Sequence, residues 1–364
     1  VHGIVRDELG RKMSKSLGNG IDPLEIIKDY GADSLRFSLV TGNSAGNDMR
    51  FSNKKVEAAR NFCNKVYNAS RFVQMNIGDE KIGDIDMAKL DIADKWILHR
   101  LNAVAGEVTS NMDNFELNVA AQKVYDFIWT EFCDWYIEMA KPRLYGDDES
   151  AKANVKAILV RVLGDSMKLL HPFMPFITEE LYQSLPNAEE TIMRASWPKY
   201  TNDFQFAEEA EEMEGVMDVL RSIRNLRAEM NVPPSRKAQV ILVTAQPENY
   251  QLGAHFITRM AYASELTVLT AAPADLTGMV TVATHDATVY MPMAELVDIA
   301  KELERIAAER KKAEENLRRI EAKLANESFT SRAPENVVNA EREKAEKARA
   351  LIAKLDASAA AMKL

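Results

Sequence analysis

The last seventy residues restrict the fold more than any other part of the sequence. Leu296, Ile299, Leu303, Ile306, Ala313, Leu317, Ile320 and Leu324 follow in alternating three- and four-residue steps, with Arg310 as the polar interruption. A seam of this kind needs a partner helix along its whole length. A second seam runs through Val338, Glu341, Ala345, Ala348, Ile352, Leu355, Ala359 and Met362. The intervening "NESFTSRAPEN" gathers turn formers and Pro334, so the two helices are expected to fold back as an antiparallel coiled-coil hairpin over 294–364. At 1.5 Å per residue the first helix is about 45 Å long, which makes it a lever arm and not a globular core. Arg310 inside the seam and the tight break favour a hairpin within one chain over a long parallel dimer, so a monomer is expected.

The remaining sequence is mainly helical and falls into three segments, in keeping with a length of 364 residues that exceeds a single core. Residues 1–52 read as a short strand at "VHGIV", a Gly/Ser/Lys loop, and a helical stretch in "DPLEIIKDYGADSLRFSLV" that Asp22 and Pro23 start. Such an order is what the edge of an α/β nucleotide site is expected to look like. Residues 53–200 carry apolar positions at helical spacing and predict a bundle of long helices. In "KVYDFIWTEFCDWYIEMAK" the rings of Tyr125, Trp129, Phe132 and Tyr136 step by four, three and four and are expected in the bundle core. "LLHPFMPFITEEL" breaks a helix at Pro172 and Pro175, with Thr178 as the expected cap of the restart. Residues 201–293 mix periods: a helix to Asn231, a stop at "VPPS", strands "QVILV", "ELTVL", "MVTVA" and "ATVYM", and a helix near "FITRMAYA". That is a small α/β unit.

The segment most suited to chemistry is "RKMSKSLGNGIDP", Arg11 to Pro23. Lys12 and Lys15 supply point charges, Ser14 and Ser16 supply hydroxyls, and Gly10, Gly18 and Gly20 flank them as expected hinges. No GxxxxGK[ST] string occurs, so a Walker-type phosphate loop is excluded. A flexible cationic flap can instead fold over a triphosphate and stabilise charge building on the leaving pyrophosphate.

The net charge of −9 rules out bulk attraction to a polyanion and leaves phosphate binding to local basic patches. Two patches stand out. Arg221, Arg224 and Arg227 recur every three residues and are read as a helix stripe, either tracking phosphates or simply solvated or paired with acids. Arg310, Lys311, Lys312, Arg318 and Arg319 are the densest cationic cluster of the arm. Cys63 and Cys133, the two cysteines, are far apart and outside any metal-ligand spacing, so no disulfide framework or metal site is expected. No apolar run reaches the roughly 18 residues of a bilayer span, and a cytoplasmic location with no membrane partner is expected.

"HGIVRDELGRKMSKSLGNGIDPLEIIKDYGADSLRFSL" closely resembles the signature region of class I aminoacyl-tRNA synthetases, with Lys12-Met13-Ser14-Lys15-Ser16 as the second signature of that class. "TGNSAGNDMRFSNKKVEAARNFCNKVYNASRF", "FCDWYIEMAK", "RNLRAEMNVPPS" and "LANESFTSRAPENVV" resemble segments of its valine-specific branch, and together the likeness covers essentially the whole chain. The resemblance implies that residues 1–52 end a Rossmann-like catalytic domain, that 53–200 bind the anticodon, and that 294–364 lie along the tRNA. It implies catalytic roles for Lys12 and Lys15. It also implies ATP contacts from Lys12, Ser14, Lys15 and Ser16, with Mg2+ alongside the ATP, and L-valine and tRNA(Val) as further partners.

The first signature of the class, His-x-Gly-His, occurs nowhere in the sequence, and His2-Gly3 does not supply it. The valine pocket and editing domain are missing too. The chain therefore resembles the carboxy-terminal part of such an enzyme and is expected not to support valine-dependent ATP–pyrophosphate exchange alone. The competing reading is a stand-alone tRNA-binding module without catalysis.

Overall fold

The computed structural model describes residues 3–42, 46–78, 80–186, 188–326 and 334–361. Two compact units partition the chain, Val1–Met213 and Glu214–Leu364.

The first unit opens with β1 (Val5–Arg6), paired in parallel with β2 (Met49–Arg50). Asp48 holds this pair by accepting from the Ile4 N–H at 2.8 Å and from Arg6 Nε. α1 (Pro23–Tyr30) starts as the sequence predicts, with the Asp22 carboxylate accepting from the Leu24 N–H at 2.9 Å and Pro23 in the first turn. Gly31 then adopts φ 89°, a conformation that glycine tolerates best, and splits the expected helical stretch into α1 and α2 (Ala32–Val40). Ile26, Leu35, Phe51 and Val56 form a small buried cluster, with Met13, Ile21 and Tyr30 packed against it.

The bundle follows: α3 (Asn53–Ile77), α4 (Ile92–Asp113), α5 (Leu117–Asp126), α6 (Ile137–Leu144), α7 (Glu149–Leu170) and α8 (Pro175–Gln183). Its centre is filled by Phe62, Trp96, Ile97, Leu98, Phe127, Phe132, Tyr136 and Ile158, all below 2 % exposed.

Two local expectations are corrected here. Phe127–Tyr136 is π-helical, not α-helical, and the widened turn separates rings that an α-helix would align. Phe132 and Tyr136 are buried, whereas Tyr125 and Trp129 are half-buried and stack on each other at 5.5 Å, with the Lys65 ammonium 3.9 Å above the Trp129 ring. Thr178 is not a cap. The helix restarts at Pro175, and the Thr178 hydroxyl is buried inside it, donating to the Met174 carbonyl at 2.7 Å.

α9 (Ala207–Glu229) ends where Asn231 takes φ 53° ahead of the two prolines. In the second unit β3 (Ala238–Thr244), β4 (Ala263–Leu269), β5 (Met279–Ala283) and β6 (Ala287–Pro292) form a sheet of order β4-β3-β6-β5. β3 runs parallel to β4 and antiparallel to β6, and α10 (Ala254–Met260) makes the crossover from β3 to β4. These are the four strands expected from the sequence. Val216, Val219, Leu220 and Ile223 of α9 are buried with Val240, Leu242, Val289, Met291, Phe256 and Ile257. Gly253 permits this approach, since a Cβ there would lie 2.5 Å from Val216 Cγ2.

After α11 (Met293–Leu296) the arm consists of α12 (Ile299–Leu324) and α13 (Glu335–Ala361), packed on each other. Ile306, Ala313 and Ile320 are buried on one helix and Val338, Ala345, Ala348 and Leu355 on the other, so the paired seams hold. The break at 327–333 and Met362 lie outside the described residues. Cross-helix ion pairs set the register: Arg310–Asp356 at 2.6 Å, Glu321–Arg349 at 2.6 Å and Lys323–Glu341 at 3.2 Å. Exposed pairs contribute about 0–1 kcal/mol each, so the apolar seam carries the stability. Among the described residues no helix is long and apolar enough to cross a membrane.

Candidate functional site

The phosphate-loop candidate has a defined posture, built by residues on either side of it. Asp7, 7 % exposed, is its hub. Its carboxylate accepts from the Leu9 N–H at 3.1 Å, the Arg11 N–H at 2.7 Å, Arg11 Nε at 2.8 Å and Asn19 Nδ2 at 2.9 Å. Asn19 also donates to the Lys12 carbonyl at 3.3 Å and accepts from the Ser14 N–H at 2.9 Å, which closes the loop on itself. The hydrogen bond from Asn19, with those from Arg11, holds the Asp7 carboxyl down to about 2. Its folded value lies below the ordinary carboxylate value near 4. The hold is therefore complete above about pH 4 and fades as pH falls toward 2.

Within this frame Ser14 caps a single 3-10 turn, Lys15–Leu17, by accepting from the Leu17 N–H at 3.3 Å, and its hydroxyl lies 3.1 Å from that of Ser16. Gly18 closes the turn at φ 59° and Gly10 sits at φ 79°. Gly20 is outside the left-handed region. Met13 points down into the Ile26/Leu35/Phe51/Val56 cluster and anchors the base. Lys12 and Lys15 do not join that cluster. Both are exposed, and among the described residues neither has an ion-pair partner, so their ammonium groups are free to meet an anion. His2 lies outside the described residues. Asp7 and Asn19 shape the loop, and the sequence reading misses them, although "DELG", with Asp at the first and Gly at the fourth place of a turn, carries a readable signal.

The three arginines of α9 do not share one stripe. A three-residue step turns about 300°, so the third residue lies about 120° around the helix from the first. Arg221 and Arg224 are exposed, and Arg221 lies 3.5 Å from Glu214. Arg227 is 5 % exposed; its Nη2 donates to the carbonyls of Pro233 at 3.0 Å and Arg236 at 2.6 Å, with Tyr262 under the guanidinium. It braces the chain after α9 and is not available to a phosphate.

On the arm, Arg310 is likewise engaged, bound to Asp356 and to Glu314 at 2.9 Å. Lys311, Lys312 and Arg318 are exposed with no ion pair among the described residues, and Arg319 donates to Asn316 Oδ1 at 3.0 Å. Arg319, Lys323, Lys344 and Lys347 line a groove of about 620 Å³ between α12 and α13. Among the described residues no cluster of three or more His, Cys, Asp or Glu is arranged to hold a metal ion.

Comparison with known proteins finds three family matches along the chain. A family described as "tRNA synthetases class I (I, L, M and V)" matches residues 1–52, one described as "Anticodon-binding domain of tRNA ligase" matches 94–242, and one described as "Valyl tRNA synthetase tRNA binding arm" matches 298–363. The lysine loop on its α/β edge, the helical bundle and the paired-helix arm thus place the chain among the class I aminoacyl-tRNA synthetases. The chain is 47% identical over its entire length to 42% of the "Valine--tRNA ligase" of Clostridium acetobutylicum. It is 51% identical over 94% of its length to 39% of the same-named protein of Clostridium perfringens. For Clostridium tetani the identity is 48%, over 95% of this chain and 40% of the relative. The chain belongs to the valine-tRNA ligase family and spans about two fifths of the length of these relatives.

Proposed function

We propose that this chain supplies the phosphate-gripping loop, the anticodon-reading bundle and the tRNA-binding arm of a valine-tRNA ligase. Such an enzyme activates L-valine with ATP and transfers it to the 3′ end of tRNA(Val). The observation that carries this reading is the pair of exposed ammonium groups, Lys12 and Lys15, without an ion-pair partner among the described residues, on a loop whose base Asp7, Asn19 and Met13 hold in place. Closed over ATP, Lys15 and Lys12 meet the phosphates while the Ser14 and Ser16 hydroxyls donate to their oxygens. Mg2+ arrives with ATP as part of the substrate. The full reaction belongs to the whole enzyme, and this chain alone does not activate valine. A monomer fits the arm, whose seams are satisfied within one chain.

Along the arm Lys311, Lys312, Arg318 and Arg319 take the sugar–phosphate backbone, while Arg310 pairs across the hairpin with Asp356. The two roles separate experimentally. Replacing the first four by Gln is expected to reduce the slope of log K against log[salt] for tRNA(Val) binding by about 3, since each phosphate neutralised adds about 0.7–0.9 to it. Arg310→Gln is expected to leave that slope unchanged and to lower the melting temperature of the arm. Binding isotherms at four salt concentrations read the first result. An unchanged slope in the fourfold variant removes these residues from the interface.

A further inference from the structure

α2 carries two charged side chains, one helical turn apart, that both serve the corner between α7 and α8. α8 begins at Pro175, which has no N–H, so its first orphan donors are the N–H groups of Phe176 and Ile177. No side chain of its own caps them. Asp33, 6 % exposed, does so from 143 residues away, accepting from Phe176 at 3.3 Å and from Ile177 at 2.7 Å. On the other side of the corner, just past α7, the carbonyls of Pro172 and Phe173 accept from Arg36 Nη2 at 3.2 Å and Nε at 3.4 Å. An anion thus meets a helix start and a cation meets a helix end, each in the sense that the peptide dipoles favour. Between these two residues in sequence, Leu35 joins the cluster on which Met13 of the loop packs. The same short helix therefore touches the bundle corner and the floor of the lysine loop.

We propose that Asp33 and Arg36 are positioning residues that clamp α2 to the α7–α8 corner, and that through Leu35 and Met13 this clamp sets the posture of Lys12 to Ser16. Its use rests on the proposed function: a reaction that joins a nucleotide-activated acid to an RNA needs the phosphate loop and the RNA-binding bundle in one register. The clamp itself can be read without nucleotide or RNA, so its failure is distinct from a failure of that reading, which would appear as absent tRNA binding.

Hydrogen exchange on the 364-residue chain provides the test, with millisecond-to-minute sampling. In Asp33→Ala, exchange at Phe176 and Ile177 rises about tenfold, the size of a lost helix cap. Exchange at the hydrogen-bonded loop amides of Ser14, Leu17 and Gly18 rises about threefold or more, while α12 and α13 are unchanged. Asp33→Asn, which keeps one acceptor oxygen, restores part of the protection at both places. Arg36→Gln leaves Phe176 and Ile177 protected and still loosens the loop amides. This variant also carries the test if Asp33→Ala leaves the first unit unfolded. Loop exchange at the wild-type rate in Arg36→Gln, or in a folded Asp33→Ala whose cap is lost, overturns the proposal and reduces Asp33 to a local cap. Unchanged exchange at Phe176 and Ile177 in Asp33→Ala overturns it as well.

Discussion

Replacing Lys12 and Lys15 together by alanine, in a valine-tRNA ligase that contains this chain, is expected to slow valine-dependent ATP–pyrophosphate exchange by about 10³-fold or more. Each well-placed donor to charge that develops in a transition state is worth about 10²–10³ in rate, and two lysines on one loop act as a unit, so their effects do not multiply fully. The loss should fall on kcat more than on the KM for ATP, because negative charge grows on the pyrophosphate only as the bond to it breaks. Nothing in the fold requires these side chains: both are exposed and without an ion-pair partner among the described residues, so the melting temperature should stay within a degree or two of wild type. Steady-state exchange kinetics with a parallel melting curve decide the matter. An undiminished kcat contradicts the role given to the loop, whereas a collapsed melting curve would show that the lysines are structural.

The second large effect is on stability, at the buried network that joins α4 to α6. The Asp94 side chain has no exposed surface, and its carboxylate accepts from the Tyr136 hydroxyl at 2.8 Å and from both terminal nitrogens of Arg143, Nη2 at 2.7 Å. It also completes a reciprocal capping box with Asp91 at the start of α4. Burial, with the neighbouring Asp94 charge, pushes the Tyr136 hydroxyl well above its ordinary value, so it donates throughout the physiological range. Arg143→Ala leaves the Asp94 charge in the core with no cation and is expected to cost about 3–5 kcal/mol. Tyr136→Phe removes one hydrogen bond and keeps the ion pair, and should cost about 1–2 kcal/mol. Urea unfolding followed by a probe in the first unit measures both. If Arg143→Ala costs no more than Tyr136→Phe, the carboxylate is reaching solvent, and the electrostatic account of this joint fails.

The features legible in the sequence are those written in local periodicity or composition. The seam around Ile306, Ala313 and Ile320, the four β-strands of the second unit and the Asp22–Pro23 helix start all have signals contained within a few residues. What stays hidden depends on partners far along the chain or on a bonding pattern that leaves the periodicity unchanged. Asp33 caps a helix 143 positions away, so a local reading settles on Thr178, which lies inside the helix. The π-helical stretch keeps the four-three-four ring spacing of an α-helix, and only its shifted hydrogen bonds separate Trp129 from Phe132. Arg227 falls in with Arg221 and Arg224 by spacing, and only the accumulated drift of a three-residue step carries it to another face. The lysines of the loop are visible as cations in a glycine-rich setting, but Asp7, which shapes that loop, resembles any acidic residue of a surface turn until its four hydrogen bonds are seen.

The central claim, that this chain reads and holds tRNA(Val) for a class I synthetase, is tested most directly by titrating the 364-residue chain with tRNA(Val) and with the same tRNA carrying a changed anticodon, at one fixed salt concentration. The shared phosphate backbone gives both RNAs the same electrostatic attraction, so any difference reports on base recognition. The account predicts binding of tRNA(Val) at least about tenfold tighter than of the altered tRNA, a difference of about 1.4 kcal/mol. Equal affinity for the two RNAs, or no binding of either, would contradict it.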